Sequence, residues 1–72
     1  IIEETLGCVG NPCVVDDSKG GNVSTFRSAA RQIQRTGRKI VIDGPCYSAC
    51  AILADMARKN VCVTAKGSFG FH

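Results

Sequence analysis

The sequence predicts an α/β domain with a mostly parallel sheet built from βαβαβ crossovers. Short runs of β-branched residues alternate with two longer stretches whose apolar residues recur at helical spacing, in the order β, α, β, α, β, β. Because each predicted helix lies between two strands, it is a crossover connection, and such connections join parallel strands with a right-handed turn. No repeat or low-complexity tract interrupts the pattern, so the 72 residues form one domain at most.

The first predicted βα unit begins with a buried strand at Cys13 and continues into the glycine turn Ser18-Lys19-Gly20-Gly21. Asn22 suits the cap of the helix that follows, and Gly37 stands where a left-handed C-cap is required. The helix carries one apolar stripe, made of Val23, Phe26, Ala29, Ala30 and Ile33. From the residues alone, the glycine pair can also be a simple tight turn before a helix.

The second βα unit is the most informative part of the chain, because it puts a serine where a strand passes into a helix. The run Arg38–Asp43 indicates the strand, Gly44-Pro45 ends it, and the apolar spacing from Ala49 onward predicts the helix. Ser48 therefore lies near the helix N-terminus, where free N–H groups and the positive end of the dipole favour an alkoxide or an oxyanion. Capping of the helix by Ser48 is the simpler interpretation.

Two further strands are predicted after this helix. Asn60–Thr64 has the composition of a strand, and Gly67–His72 is a short aromatic strand that ends in a histidine. A lone histidine is more often structural or solvated than catalytic, so His72 by itself predicts no activity.

Taken in order, the glycine turn, the serine and the histidine resemble the Clp protease proteolytic subunit (ClpP) and its relatives in the crotonase-like superfamily. The matching elements are Ser18-Lys19-Gly20-Gly21, Ser48-Ala49 and Phe71-His72. The sequence is most similar to exported bacterial relatives with a Cys-x-Ser-Ala-Cys core and a Gly-Phe-His ending, and the similarity extends from about Cys13 onward. The resemblance implies a ClpP/crotonase-like fold.

The resemblance also implies a serine hydrolase, specifically a peptidase that acts on peptide or protein substrates by nucleophilic acyl transfer. Ser48 would be the nucleophile and His72 the general base. The backbone N–H groups of Gly21 and Ala49 would hold the oxyanion, and Gly20 would contribute to substrate binding. Neither a cofactor, nor a metal, nor an ATP-dependent unfoldase is expected.

Two departures from the family pattern affect these expectations. Lys19 stands where the family turn usually has proline. The family's third catalytic residue lies well beyond the histidine, whereas this sequence stops at His72. We therefore expect residues 1–72 to be part of a longer domain, or a subunit completed by another chain. Asp16 and Asp17, near the glycine turn, are candidates to replace the orienting acid.

Five cysteines in 72 residues approach the content of a disulfide framework in an exported chain. We expect Cys8 and Cys13 to pair, because the stretch between them is short and rich in turn residues. Either Cys46 or Cys50 is expected to reach Cys62 on the next strand, although some of these residues can instead be buried thiols. Zinc is not favoured, because the second close cysteine pair of structural zinc sites is absent. The predicted location is exported, periplasmic or otherwise extracytoplasmic.

Composition narrows the range of partners. A hydrophobic fraction of 44% with 21% charged residues predicts a folded core. Arg27, Arg31 and Arg35 lie opposite the apolar stripe, but a net charge of +3 without interleaved aromatics does not favour a nucleic-acid partner.

Membrane association is expected only through sequence absent here, because no transmembrane run or signal peptide is present. Two helices cannot cover both faces of a four-stranded parallel sheet, which favours a homo-oligomer or further sequence.

Two other function classes remain open at this point. One is a catalytically inert module of the same fold that binds a peptide or a partner protein. The other is a small disulfide-stabilised structural or redox protein in which Ser48 only caps a helix.

Overall fold

The computed structural model describes residues 1–71 as a mixed α/β fold. The helices span Ile2–Leu6 (α1), Val23–Thr36 (α2) and Ala49–Met56 (α3), and a 3-10 turn over Arg58–Asn60 follows α3. The strands span Cys13–Val15 (β1), Ile40–Ile42 (β2), Pro45–Tyr47 (β3), Val61–Val63 (β4) and Ser68–Gly70 (β5). The α/β class is as predicted, but the predicted order β, α, β, α, β, β becomes β, α, β, β, α, β, β from β1 onward, because β3 is an additional strand.

The strands of the described residues form two sheets rather than the single four-stranded sheet predicted, and every ladder is parallel. The main sheet has the order β1-β2-β4, and the second sheet pairs β3 with β5. The sequence predicted Gly44-Pro45 only as a breaker, whereas Pro45 begins a strand of its own. The reason lies at Gly44, where the backbone of Asp16 crosses so closely that a Cβ atom would overlap it. After this crossing, Gly44 accepts a 3.1 Å hydrogen bond from Ser68 N–H, which begins the second sheet.

The N-terminal helix α1 has no counterpart in the sequence prediction. Five residues are too few for an apolar period to be recognised. Contacts elsewhere in the chain hold the helix instead, because Ile2 and Leu6 are buried in the core and Glu3 pairs with Arg38 at 2.9 Å. Arg38 also donates to the carbonyl oxygen of Gly10, at 2.7 Å from Nη2. Tertiary contacts therefore decide this element.

One apolar core lies between the helices and the main sheet. Its largest fully buried members are Ile33, Ile40, Ile42, Leu53, Val15, Cys13, Cys46 and Cys50. Four of the five predicted stripe residues of α2 are buried, but Val23 is 38% exposed because it is the first residue of the helix. Asn22 caps α2 as predicted, accepting a 3.2 Å hydrogen bond from Thr25 N–H.

The outer face of the main sheet remains accessible. Val14, Val41 and Cys62 are neighbours across the three strands, and Val14 and Cys62 are exposed while Val41 is half-buried. A parallel sheet is normally covered on both faces. Within residues 1–71 no element covers this face, so the prediction that something else covers it stays a prediction.

Candidate active site

Ser48 lies between the end of β3 and the start of α3, with φ 58° and ψ −122°. Among the described residues, it is the only non-glycine residue with a positive φ. Such a conformation costs on the order of 1–3 kcal/mol for an L-residue and persists only where the surroundings impose it. Two hydrogen bonds help to impose it here, since Ser48 N–H donates to Gly70 O at 2.7 Å and Ser48 O accepts from Ala51 N–H at 3.0 Å.

The side chain of Ser48 does not cap α3. It makes no capping hydrogen bond, in contrast to Asn22 at the start of α2. Ser48 occupies the N-cap position of α3 through its backbone alone, because its carbonyl oxygen accepts from Ala51 N–H while its side chain makes no capping bond. Ser48 is half-buried, and its hydroxyl does not make the capping hydrogen bond that is usual for a serine at a helix N-terminus.

The glycine turn packs directly against this serine. Gly20 has φ 88°, and a Cβ atom on it would lie 2.6 Å from Tyr47 O, 2.9 Å from Ala49 N and 3.0 Å from Ser48 Cβ. Only glycine fits both the backbone conformation and the space. Gly20 is thereby packed against the backbone of Tyr47 and Ala49 and against the side chain of Ser48.

Two backbone amides predicted for the oxyanion site have no hydrogen-bond acceptor among the described residues. Within residues 1–71, neither the N–H of Gly21 nor the N–H of Ala49 has a hydrogen-bond acceptor. Ala49 is also the first residue of α3, where the helix dipole presents its positive end. The pair therefore has the composition of an oxyanion hole.

Ser18 aligns the glycine turn with the strand that leads to Ser48. Its N–H donates to Pro45 O at 2.8 Å, and its carbonyl oxygen accepts from Tyr47 N–H at 2.9 Å. Ser18 thus adds a parallel rung beside β3, at Cys46, and it is a buried polar residue. The turn at Gly20 is consequently held by sheet hydrogen bonds rather than by its own loop.

Three of the predicted site residues come together in the described part of the chain. Gly20, Ser48 and Ala49 are in close contact, whereas His72 lies outside the described residues. The carboxylates of Asp16 and Asp17 are on exposed residues and have no hydrogen-bond partner in the described part of the chain. Neither aspartate is shown to reach the serine.

The disulfides differ in part from the prediction. Cys8 and Cys13 are bonded as expected, but Cys46 pairs with Cys50 rather than with Cys62, which is an exposed free thiol. The turn at Ser48 brings the Cα atoms of Cys46 and Cys50 to 5.2 Å, while Cys62 lies on the outer face of the main sheet. The Cys-x3-Cys spacing around a tight turn was the signal that could have indicated this bond.

The cysteines of the two disulfides are shielded from solvent. The four bonded cysteines are buried, and thiol–disulfide exchange needs access to a sulfur. Within residues 1–71, no three Cys, His, Asp or Glu side chains are grouped to hold a metal ion. The two disulfides therefore act as structural cross-links.

An apolar groove of about 510 Å³ lies beside the serine turn, between α3, β4 and β5. Ile52, one helical turn beyond Ser48, lines it together with Phe69 and Phe71, which flank Gly70. Asp55 and Arg58 form an ion pair at its edge. Ser48 itself does not line the groove.

Comparisons with known proteins do not identify the chain. No protein-family model matches it, and no curated protein or solved structure matches it either. No helix in residues 1–71 is both long enough and apolar enough to cross a membrane. The fold and the cross-links define a disulfide-containing α/β protein with parallel strands.

Proposed function

We propose that this chain is a serine hydrolase of the Clp protease kind, acting as a peptidase with Ser48 as nucleophile. The observation that carries the proposal is the backbone of Ser48. A positive φ at a sharp strand-to-helix turn exposes a serine hydroxyl in the way that hydrolases use for nucleophilic attack. The absence of a capping bond from the side chain supports a role other than helix capping.

The proposed reaction is acyl transfer from a peptide bond. The Ser48 hydroxyl attacks the carbonyl carbon while His72 takes its proton, and His72 then returns the proton to the leaving amine. The negative charge on the carbonyl oxygen is held by the N–H groups of Gly21 and Ala49. Water then releases the acyl group from Ser48. The free amides beside the serine support this assignment of the oxyanion hole.

The assignment of His72 as the base is supported by chain connectivity. Gly70 accepts the hydrogen bond from Ser48 N–H, so the end of β5 lies beside the serine turn. His72 follows Gly70 by two residues in the sequence. A general base must come within hydrogen-bond reach of the serine hydroxyl, and this is what the assignment requires of His72.

Location and assembly are also part of the proposal. Two disulfide bonds are consistent with an oxidising compartment, which favours an exported protein. The exposed face of the main sheet favours a homo-oligomer.

A binding module without turnover is the second candidate. The apolar groove beside Ser48 favours it, because such a surface can hold an apolar peptide segment without any reaction.

Labelling with a fluorophosphonate probe, followed by peptide mapping, tests the proposal. Modification of Ser48 is expected in the folded chain, and it should be lost in Ser48→Ala and strongly slowed in His72→Ala. Ser68→Ala is the matched control, because Ser68 is an exposed serine on the neighbouring strand β5. A folded chain that does not react at Ser48 would favour the binding module instead.

A further inference from the structure

We propose that the Cys46–Cys50 disulfide is a positioning element that holds Ser48 in its positive-φ conformation. The catalytic meaning of this inference rests on the proposed function. Its conformational part stands on the geometry of the turn alone. Cys46 and Cys50 are not themselves reacting groups, because their bonded sulfur atoms are fully buried.

The two cysteines occupy special positions in the turn. Cys46 precedes Ser48 by two residues, and Cys50 follows it by two. In strand-to-helix turns that present a nucleophile, these two positions commonly hold glycine, in the pattern Gly-x-Ser-x-Gly. The positions lie close together here, with the Cα atoms of Cys46 and Cys50 5.2 Å apart. A covalent bond joins the two sides of the turn.

The bond connects two elements that are each firmly held. Cys46 is the middle residue of β3, where Ser18 lies on one side and Phe69 of β5 on the other. Cys50 lies in the first turn of α3 and is fully buried. The strand before Ser48 is thereby covalently linked to the helix after it, so the bond limits how far the turn can open.

The non-covalent contacts at Ser48 provide a weaker hold. The hydrogen bond from Ser48 N–H to Gly70 O links the turn to β5 and can open locally without unfolding the chain. Since a positive φ is unfavourable for serine, opening would relax the backbone. The disulfide limits the conformations that such an opening can reach, and this limit keeps the hydroxyl in place.

The test compares the two disulfides of the same chain. Cys46→Ala/Cys50→Ala is compared with Cys8→Ala/Cys13→Ala, both with Cys62→Ser added so that no thiol can exchange. The two bonds close loops of similar length, with separations of four and five residues, so they are matched in their effect on the unfolded chain. If Cys46→Ala/Cys50→Ala does not fold, Cys46→Val/Cys50→Ala refills part of the buried volume.

The first readout does not depend on activity. Hydrogen exchange of the Ser48 amide, followed by NMR, is expected to be about 20-fold faster without the Cys46–Cys50 bond, which is the scale of the loop-closure effect for so short a loop. The variant without the Cys8–Cys13 bond should retain the parent exchange rate at Ser48 under conditions where the amide exchanges by local opening rather than by global unfolding. Equal exchange rates at Ser48 in the two variants would overturn the inference.

The second readout separates this inference from the proposed function. The rate of fluorophosphonate labelling at Ser48 should fall when the Cys46–Cys50 bond is removed, and it should be unchanged without the Cys8–Cys13 bond. Suppose that Ser48 amide exchange becomes faster only when the Cys46–Cys50 bond is removed, but the parent chain is never labelled. That result would refute the hydrolase and retain the positioning role. Equal labelling in the parent and both variants would refute the positioning role while retaining the hydrolase.

Discussion

The N–H group of Ser48 donates a 2.7 Å hydrogen bond to the carbonyl oxygen of Gly70. This bond joins two strand ends that are separated by a helix and a strand along the chain. It places the turn that carries the candidate nucleophile beside the strand that leads to His72. The position of Ser48 beside the end of β5 thus depends on the small sheet formed by β3 and β5.

Glycine in place of Ser48 should stabilise the fold relative to alanine in place of Ser48. Alanine keeps the unfavourable positive φ, whereas glycine removes it at the cost of a more flexible unfolded chain, so a difference of about 1 kcal/mol is expected. Urea unfolding of Ser48→Gly and Ser48→Ala measures it. The same pair at Ser68, a strand residue, is the control and should show the opposite order. An identical order at both positions would contradict strain at Ser48.

Gly20→Ala should cost more stability than Gly37→Ala. Both glycines have a positive φ, 88° and 71°, but a Cβ atom at Gly20 meets backbone atoms while one at Gly37 meets nothing within 4 Å. The difference in the free energy of unfolding should be about 1–3 kcal/mol, the usual cost of overpacking. Thermal unfolding of the two variants measures it. Equal losses would mean that the glycine turn does not pack against the serine turn.

The hydrogen bond from Thr64 Oγ1 to Asp43 Oδ1 should stabilise the ends of β2 and β4. Its length is 2.5 Å, and the contact is partly buried. Thr64→Val leaves the carboxylate without this donor and should cost about 1–3 kcal/mol. Asp43→Ala/Thr64→Val removes both partners and should therefore recover part of the loss in a denaturant titration. A double variant that is less stable than the sum of the single changes would contradict this account.

The ion pair between Glu3 and Arg38 should contribute to the acid dependence of stability. The hydrogen bond and the charge of Arg38 hold the pKa of the Glu3 carboxyl below its ordinary value of 4.5. A carboxyl whose pKa is lower in the folded state contributes stability above its unfolded pKa and loses it as the pH falls through the folded pKa. The stability difference between the parent chain and Glu3→Gln should therefore shrink below about pH 4.5.

Glu4→Gln is the matched control for this measurement. Glu4 is the neighbouring exposed carboxylate, and its contact is a 4.0 Å approach to the N-terminal amine. The pH dependence of unfolding should change less in Glu4→Gln than in Glu3→Gln. The reverse order would show that Arg38 does not connect α1 to the rest of the fold.

Local patterns were sufficient for the main elements of the fold. The apolar stripe of α2 and its Asn22 cap depend on residues within a few positions of each other, and so does the Cys8–Cys13 bond. The position of Ser48 between a strand and a helix was also predictable. A run of β-branched residues typical of a strand precedes it, and apolar residues at helical spacing follow it. Its backbone conformation was not, because φ at Ser48 is imposed by contacts with β5 and the glycine turn.

The elements that were missed or misassigned all depend on distant contacts. Helix α1 is held by Arg38, far along the chain, and β3 becomes a strand only because Ser18 and β5 lie on its two sides. The choice of Cys50 rather than Cys62 as the partner of Cys46 follows from the direction of the turn at Ser48. None of these contacts has a periodic signal in the sequence.

The sequence by itself determined the α/β class, the parallel crossovers and the position of Ser48 between a strand and a helix. These depend on the alternation of apolar residues and on turn residues, which are properties of short segments. The tertiary structure alone decided that Gly20 packs on Ser48 and Ala49, that the serine has a positive φ, and that a disulfide encloses it. The reason is physical, because a strained turn is stable only when sheet hydrogen bonds, close packing and a cross-link from separate parts of the chain hold it together.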